Sequence, residues 1–250
     1  MYITTTGLVL REVKYKESSR ILTVLTPGEG KLTVTARGAR RRGSKVAAAT
    51  EFLAFSEMTL LETHGRWMLT EARSLELFEG LRDGVELLAL GAYFAEMLEL
   101  LCAENLPAPE ALALCLNSLF ALSEKQKEPA LVKPAFELRL MEIAGYAPAL
   151  ERCCICGRTD VREPALHLSA GGICCAACAQ PETESDCVHL TQGALEAMRY
   201  ILTSEAKKVF SFTLGDAALA NLGCACEKYA AAQLDYHSKA LEYYKRVSGI

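Results

Sequence analysis

The stretch GLVLREVKYKESSRILTVLTPGEGKLTVTARGARRRGSK, residues 7–45, sets the terms for the rest of the chain. Residues 4–10, 20–25 and 31–36 are rich in β-branched and apolar side chains with partial period-two alternation, the pattern of half-buried strands. Between the second and third, Thr26-Pro27-Gly28-Glu29-Gly30 is a turn by its chemistry, because Pro presets φ and Gly admits positive φ. Residues 52–61 and 67–70 read as two more strands, joined through a turn at His64-Gly65. Five short strands in about 75 residues fit a small closed barrel. The five-stranded oligonucleotide-binding barrel (OB-fold) is the common occupant of that size, and periodicity alone equally allows an SH3-like barrel.

The same stretch ends in Arg37-Gly38-Ala39-Arg40-Arg41-Arg42-Gly43-Ser44-Lys45, five positive charges in nine residues. A basic barrel loop of this kind can track a phosphate backbone: guanidinium forks match phosphate oxygens, glycine lets the main chain approach, and each neutralised phosphate releases a counterion. Its bland counterpart is a solvated loop kept soluble by charge. Lys14, Lys16 and Lys31 are candidates to extend the patch. Trp67 and Phe52 can offer stacking surfaces for bases, although burial in the barrel is the commoner fate of large apolar strand residues. No base-reading helix is evident, so contacts here are expected to hold backbone without encoding sequence.

Outward from the barrel the pattern turns helical. Val85, Leu88, Ala92, Ala95, Leu98 and Leu101 recur at three- and four-residue steps, with glutamates between them. Pro107 and Pro109 mark a second helix through Leu112, Cys115, Leu119 and Leu122, and Pro134 is expected near the start of a third through Phe136, Leu140 and Ile143. Thr191 can cap a helix through Leu195, Met198 and Leu202, and residues 217–246 read as one long final helix. The expected organisation is α+β and multidomain: an OB-fold barrel over residues 1–80, a first helical part over 81–152, a zinc module over 153–190 and a C-terminal helical part over 191–250.

The cysteines give the second chemical signal. Cys153-Cys154-Ile155-Cys156-Gly157 and Cys174-Cys175-Ala176-Ala177-Cys178 are two knuckles, and pairing Cys153 and Cys156 with Cys175 and Cys178 gives CxxC, a gap of 18 residues, then CxxC. Zn²⁺ prefers tetrahedral thiolate coordination, and four thiolates leave no open position, so one structural zinc per chain is expected. Cys154, Cys174, Cys187 and His189 remain possible substitutes. Cys102, Cys115, Cys224 and Cys226 lie in helical segments and are expected as small core residues.

Composition narrows the function classes. The chain has 250 residues, 51% hydrophobic and 23% charged, which is enough apolar surface for two or three folded modules and excludes disorder. The net charge of −4 hides a segregation: residues 1–80 carry 12 Lys/Arg against 9 Asp/Glu, whereas residues 81–152 carry 6 against 11. The chain opens without a charged leader and apolar run, so no secretory signal is expected. The most apolar stretch is interrupted by Glu86, Glu96 and Glu99, so no membrane span is expected either. A reducing cytoplasm, with nucleoid association, is the expected location, and there closely spaced cysteines favour metal over disulfide. A zinc-dependent nucleic-acid enzyme of the deaminase type needs His-x-Glu before its Cys pair. His64, His167, His189 and His237 are instead followed two residues on by Arg66, Ser169, Thr191 and Lys239. With no P-loop or GxSxG motif, no catalytic residue is expected. A pure protein adaptor, docking through zinc module and acidic helices, is the other alternative.

Residues 7–45 resemble the N-terminal domain of the bacterial recombination-mediator family RecO: a strand, a Lys/Tyr-Glu-Ser segment, a second strand ending in Thr, a Gly-Lys turn and a Gly-Ala-Arg-Arg loop, in that order. FELRLMEIAGYAPALERCCICG, residues 136–157, resembles the same family's Phe-Glu-Leu-Arg-Leu helix, its Gly-Tyr-x-Pro turn and first zinc knuckle, and GGICCAAC, residues 171–178, resembles the second knuckle. The resemblance implies a non-enzymatic DNA repair and recombination mediator. Such a protein binds single- and double-stranded DNA, anneals complementary strands, contacts the C-terminal tail of single-strand-binding protein and works with RecR to load RecA. It carries DNA contact onto Arg37, Arg40, Arg41, Arg42 and Lys45 and zinc onto Cys153, Cys156, Cys175 and Cys178. The doubled cysteines at 154 and 174 depart from the family's simpler pattern.

Overall fold

The structure, a computed structural model, describes residues 1–179 and 186–249. Five strands, β1 (Tyr2–Tyr15), β2 (Ser19–Thr26), β3 (Gly30–Ala36), β4 (Phe55–Thr63) and β5 (Arg66–Glu76), close into a barrel in the order β1-β2-β3-β5-β4. β3 runs parallel to β5, and the other neighbours are antiparallel. That closed order is the OB-fold, and it decides between the two barrels that periodicity leaves open. β1 is longer than its apolar pattern suggests because it serves two partners. Residues 2–8 pair with β4, residues 8–15 pair with β2, and a bulge lies between Val9 and Arg11. Beyond the bulge most side chains of β1 are exposed, so little alternation marks that half in the sequence. Val9, Leu22, Val24, Leu32, Val34, Met58 and Leu60 fill the interior.

The chain forms two compact units, Met1–Glu124 with Lys239–Ile250, and Lys125–Ser238. In the first, helices α1 (Val85–Leu101) and α2 (Pro109–Ser123) follow the barrel. The segment after α1 is held against the β2–β3 turn: Lys31 N donates to Ala103 O and Asn105 N to Lys31 O. Gly30, at φ +63, is required there, since a Cβ would lie 1.9 Å from Leu106 O. Lys31 Nζ donates to Glu99 O near the α1 C-terminus, where the helix dipole favours a cation.

In the second unit, α3 (Pro129–Ile143), α4 (Gln192–Thr203) and α5 (Asp216–Leu234) surround Phe136, Leu140, Met198, Leu222 and Tyr229. Thr191 caps α4 as expected, its hydroxyl accepting from Ala194 N at 3.2 Å. Two expectations are corrected. α3 starts at Pro129, and Pro134 stands inside it. The single final helix is two, because Asp235 adopts the left-handed conformation at φ +45 and Tyr236 N bonds back to Ala231 O, a helix-ending arrangement. The sequence resumes as α6 (Lys239–Ser248), which belongs to the first unit and packs on α1.

A buried ionic group joins α3 to α5. Lys133 Nζ donates to Glu137 Oε1 and Glu227 Oε2, both at 2.9 Å, with the Glu137 side chain fully buried. Burial works against the ammonium, and the two carboxylates outweigh it, holding the Lys133 pKa above the ordinary lysine range. Because that pKa is raised on folding, its stabilisation is complete below about pH 10.4 and is lost as pH rises through the folded value. Lys133→Met, which strands a buried carboxylate, is expected to lower the unfolding free energy by about 3–5 kcal/mol at neutral pH, measured by urea denaturation.

Candidate nucleic-acid interface and metal centre

The basic loop leaves β3 and is pinned before it reaches β4. Ala39 is fully buried in the barrel core, so Gly38 and Arg40 on either side are drawn onto the barrel. Arg40 N donates to Ser18 O at 2.9 Å and Gly38 N to Ser19 Oγ at 3.4 Å, which fastens the loop to the β1–β2 turn. Downstream, Arg41 N bonds Gly38 O and Ser44 N bonds Arg41 O, two successive turns. Arg20 holds the far end of the loop: its guanidinium donates to Thr50 O at 2.8 Å, Thr50 Oγ1 at 3.2 Å and Ala47 O at 3.4 Å, and pairs with Glu12 at 2.8 Å.

This anchoring puts the loop along a cleft of about 990 Å³ at one end of the barrel. Arg37 and Arg41 line one side. Lys16 from the β1–β2 turn and His64 and Arg66 from the β4–β5 turn complete it, with the hydroxyls of Ser18, Ser19, Thr35 and Thr63 between them. Glu17 is the one carboxylate in the lining. Lys16 and His64 both stand at positive φ, which turns each hairpin tightly at the cleft rim. Lys16 Nζ lies 5.3 Å from the centroid of the Tyr15 ring, a cation–π contact that leaves the ammonium at the mouth.

The five loop cations expected from the sequence are all exposed, and the structure sorts them. Arg37 and Arg41 line the cleft, whereas Arg40, Arg42 and Lys45 lie outside it; Arg40 Nη1 also donates to Glu17 O at 3.3 Å. Lys16 joins the patch as expected. Lys31 does not: it is spent on α1. Trp67 is partly buried against the barrel core, and Phe52 is half-buried. His64 and Arg66 were missed as cleft residues, although His64 lies in the recognised turn and Arg66 directly after it. Arg20 was missed as well, for its partners in the loop are 27 and 30 residues away.

In the second unit, a three-stranded sheet of order β7-β6-β8 carries the cysteines, with β6 (Ala165–His167), β7 (Gly172–Cys174) and β8 (Cys187–His189). Each knuckle is a tight turn. Gly157 N bonds Cys153 O with Gly157 at φ +75, and Cys178 N bonds Cys175 O. The sulfurs of Cys153, Cys156, Cys175 and Cys178 all lie within 4.8 Å of one another, and Cys156 Sγ is 3.8 Å from Cys175 Sγ. Burial disfavours a thiolate at Cys153, yet backbone N–H groups of Cys156, Cys175 and Ile155 outweigh it and pull the pKa down to about 6. Hydrogen bonding to Cys175 and Cys156 pushes the neighbouring Cys178 up to about 12. Four crowded sulfurs of which one readily ionises form a donor set suited to a thiophilic cation, and their number closes a tetrahedral shell. Cys187 and His189 are outside this foursome. Of the remaining cysteines, Cys102, Cys115 and Cys226 are buried as expected, but Cys224 is exposed, on the face of α5 opposite its buried stripe.

His167, Ser169 and Asp186 form a cluster that superficially suggests a hydrolytic triad. Asp186 Oδ2 lies 3.1 Å from His167 Nδ1, and Ser169 Oγ bonds the same carboxylate and approaches the same ring nitrogen at 3.5 Å. A nucleophile needs the imidazole's other nitrogen; here the three groups knit the β6–β7 turn to the start of β8.

The chain thus combines a small closed OB barrel bearing a cationic cleft with a helical body that carries a four-thiol knuckle, the build of a modular OB-fold protein. Residues 1–78 match the family described as Recombination protein O N terminal and residues 82–242 that described as Recombination protein O C terminal. The chain is 30% identical to the DNA repair protein RecO of Acetivibrio thermocellus over 249 residues, which is 100% of this chain and 98% of that one. It is 28% identical to that of Symbiobacterium thermophilum, covering 95% and 94%, and 26% identical to that of Alkaliphilus metalliredigens, covering 99% and 100%. The chain belongs to the RecO family, whose role is in DNA repair and recombination.

Arg20→Ala removes the hydrogen bonds holding the end of the basic loop. Bonds from a charged donor are worth about 1.5–3 kcal/mol each, so exchange of the loop amides, Arg40 among them, should accelerate about tenfold or more. Amide hydrogen exchange of the free protein checks this.

Proposed function

We propose that this protein is a non-enzymatic DNA repair and recombination mediator that binds single- and double-stranded DNA at the barrel cleft and anneals complementary strands. The observation that carries it is the cleft itself, where Lys16, Arg37, Arg41 and Arg66 from three separate connections face one space with a single carboxylate among them. The loop cations Arg40, Arg42 and Lys45 extend the charged surface along a bound strand. Guanidinium groups take phosphate oxygens in forked hydrogen bonds, contacts that carry no sequence information and so favour binding of any sequence. Neutralising two phosphate backbones on one surface lowers the repulsion that keeps complementary strands apart.

Family membership supports the wider role. In it the protein works with RecR to load RecA on DNA coated by single-strand-binding protein, touching that protein's C-terminal tail, in the cytoplasm at the nucleoid. No described helix is long and apolar enough to cross a membrane. Cys153, Cys156, Cys175 and Cys178 would hold one Zn²⁺. With four thiolates it has no place for an activated water, which supports a structural ion.

Replacing Arg37, Arg41 and Arg42 with Ala together is expected to weaken binding of every oligonucleotide and to flatten the plot of log K against log salt by up to about 2 for single strands. A slope equal to that of the unmodified protein would remove the loop from the interface. Cys156→Ser is expected to drop tightly held zinc below about half an equivalent per chain by metal analysis, because three thiolates bind far more weakly than four.

A further inference from the structure

Seven of the eleven cysteines fall between residues 153 and 187, and the foursome uses four. The other three, Cys154, Cys174 and Cys187, are scattered along the chain yet pack in one cluster with Ala165 and with Cys153, Cys175 and Cys178 of the foursome. The register explains the meeting. Ala165 pairs with Cys174 of β7 on one side, and His167 pairs with Cys187 of β8 on the other. Directly opposed residues and those two apart share a face, so Cys174, Ala165 and Cys187 lie on one side of the sheet. The methyl group of Ala165 is small enough for the flanking thiols to meet, and Cys174 Sγ is 3.9 Å from Cys187 Sγ. Cys154 N bonds Ile173 O at 2.7 Å, which places this third thiol beside the end of β7.

That sulfur separation also suits coordination. Metal–sulfur bonds of about 2.3 Å at tetrahedral angles put thiolates about 3.8 Å apart, and Cys156 and Cys175 in the foursome stand at 3.8 Å. The second pair therefore has the spacing of two metal ligands before any side chain moves.

We propose that Cys174 and Cys187 form a second, two-thiolate site for a thiophilic d¹⁰ cation such as Zn²⁺, distinct from the Cys153/Cys156/Cys175/Cys178 centre. On binding, each coordinating thiol releases its proton to solvent as its sulfur–metal bond forms, and nothing is oxidised or reduced. Soft thiolate donors select ions of this type. The site has fewer sulfurs than the foursome, so it holds its ion less tightly and leaves coordination positions to solvent. An ion there ties β7 to β8, which do not pair with each other, across the intervening β6.

The test is a metal count on the full chain under reducing conditions, dialysed against rising free Zn²⁺. The expected result is one equivalent at low free zinc and a second at higher concentration. Cys187→Ala, at a half-buried position on an edge strand, is expected to lose the second equivalent and keep the first. Cys156→Ser should do the reverse, losing the tight ion and keeping the weaker one. A parallel titration with Cd²⁺ reads thiolate coordination directly by its ultraviolet charge-transfer band, which should fall in Cys187→Ala. Saturation at one equivalent in the unmodified protein, or a second equivalent and a cadmium band unchanged by Cys187→Ala, overturns the proposal.

Discussion

The cationic end of the barrel depends on the double pairing of β1. A strand that bonds β4 along its first half and β2 along its second must bend, and the bulge at Val9 to Arg11 supplies the bend. Once it bends, the sheet closes, and closure gathers the β1–β2 turn, the loop after β3 and the β4–β5 turn around one cleft. Each of those connections brings at least one cation. Without closure they would be separate charged turns on a flat sheet.

Gathering like charges has a cost, and the way the loop is held shows how it is met. The loop cations are exposed, where solvent and salt screen their repulsion to within about 10 Å. The backbone between them is fixed by the buried Ala39 and by bonds to Ser18, Ser19 and Arg20. Arg20 is itself a cation, but its charge is turned inward on Glu12 and backbone carbonyls. Ordering the loop in advance spares a partner that entropy on binding. Arginine at most loop positions suits the proposed contact with DNA, because a planar fork keeps its charge and can grip phosphate in two places.

The cysteine module rests on a different force. Its three strands have three residues each, too short for ladder hydrogen bonds to sustain an isolated sheet. Sulfur takes over part of the apolar packing, since Cys153, Cys174 and Cys175 are buried together with Ala165. The same crowding that packs these thiols also makes them a prospective metal ligand set, because sulfur atoms in van der Waals contact already stand near the edge length of a coordination tetrahedron. Packing and coordination are then two uses of one geometry.

Local chemistry in the sequence determined a good deal: the number of barrel strands, the Pro27-Gly28 and His64-Gly65 turns, the cap at Thr191, and the grouping of the four knuckle thiols. These signals act over two to four residues, or over a knuckle spacing, and are legible without a partner. Tertiary structure alone decided what depended on distant pairing. It chose the OB order over its rival, brought Lys16 and Arg66 across from Arg37 and Arg41, and turned Arg20 into a loop anchor. It broke the final helix at Asp235, sent α6 back to α1, and drew Cys154, Cys174 and Cys187 together. The physical reason is register. Periodicity says which face of a strand or helix is apolar, but which residues meet across space is set by hydrogen-bond pairings between segments far apart in the chain.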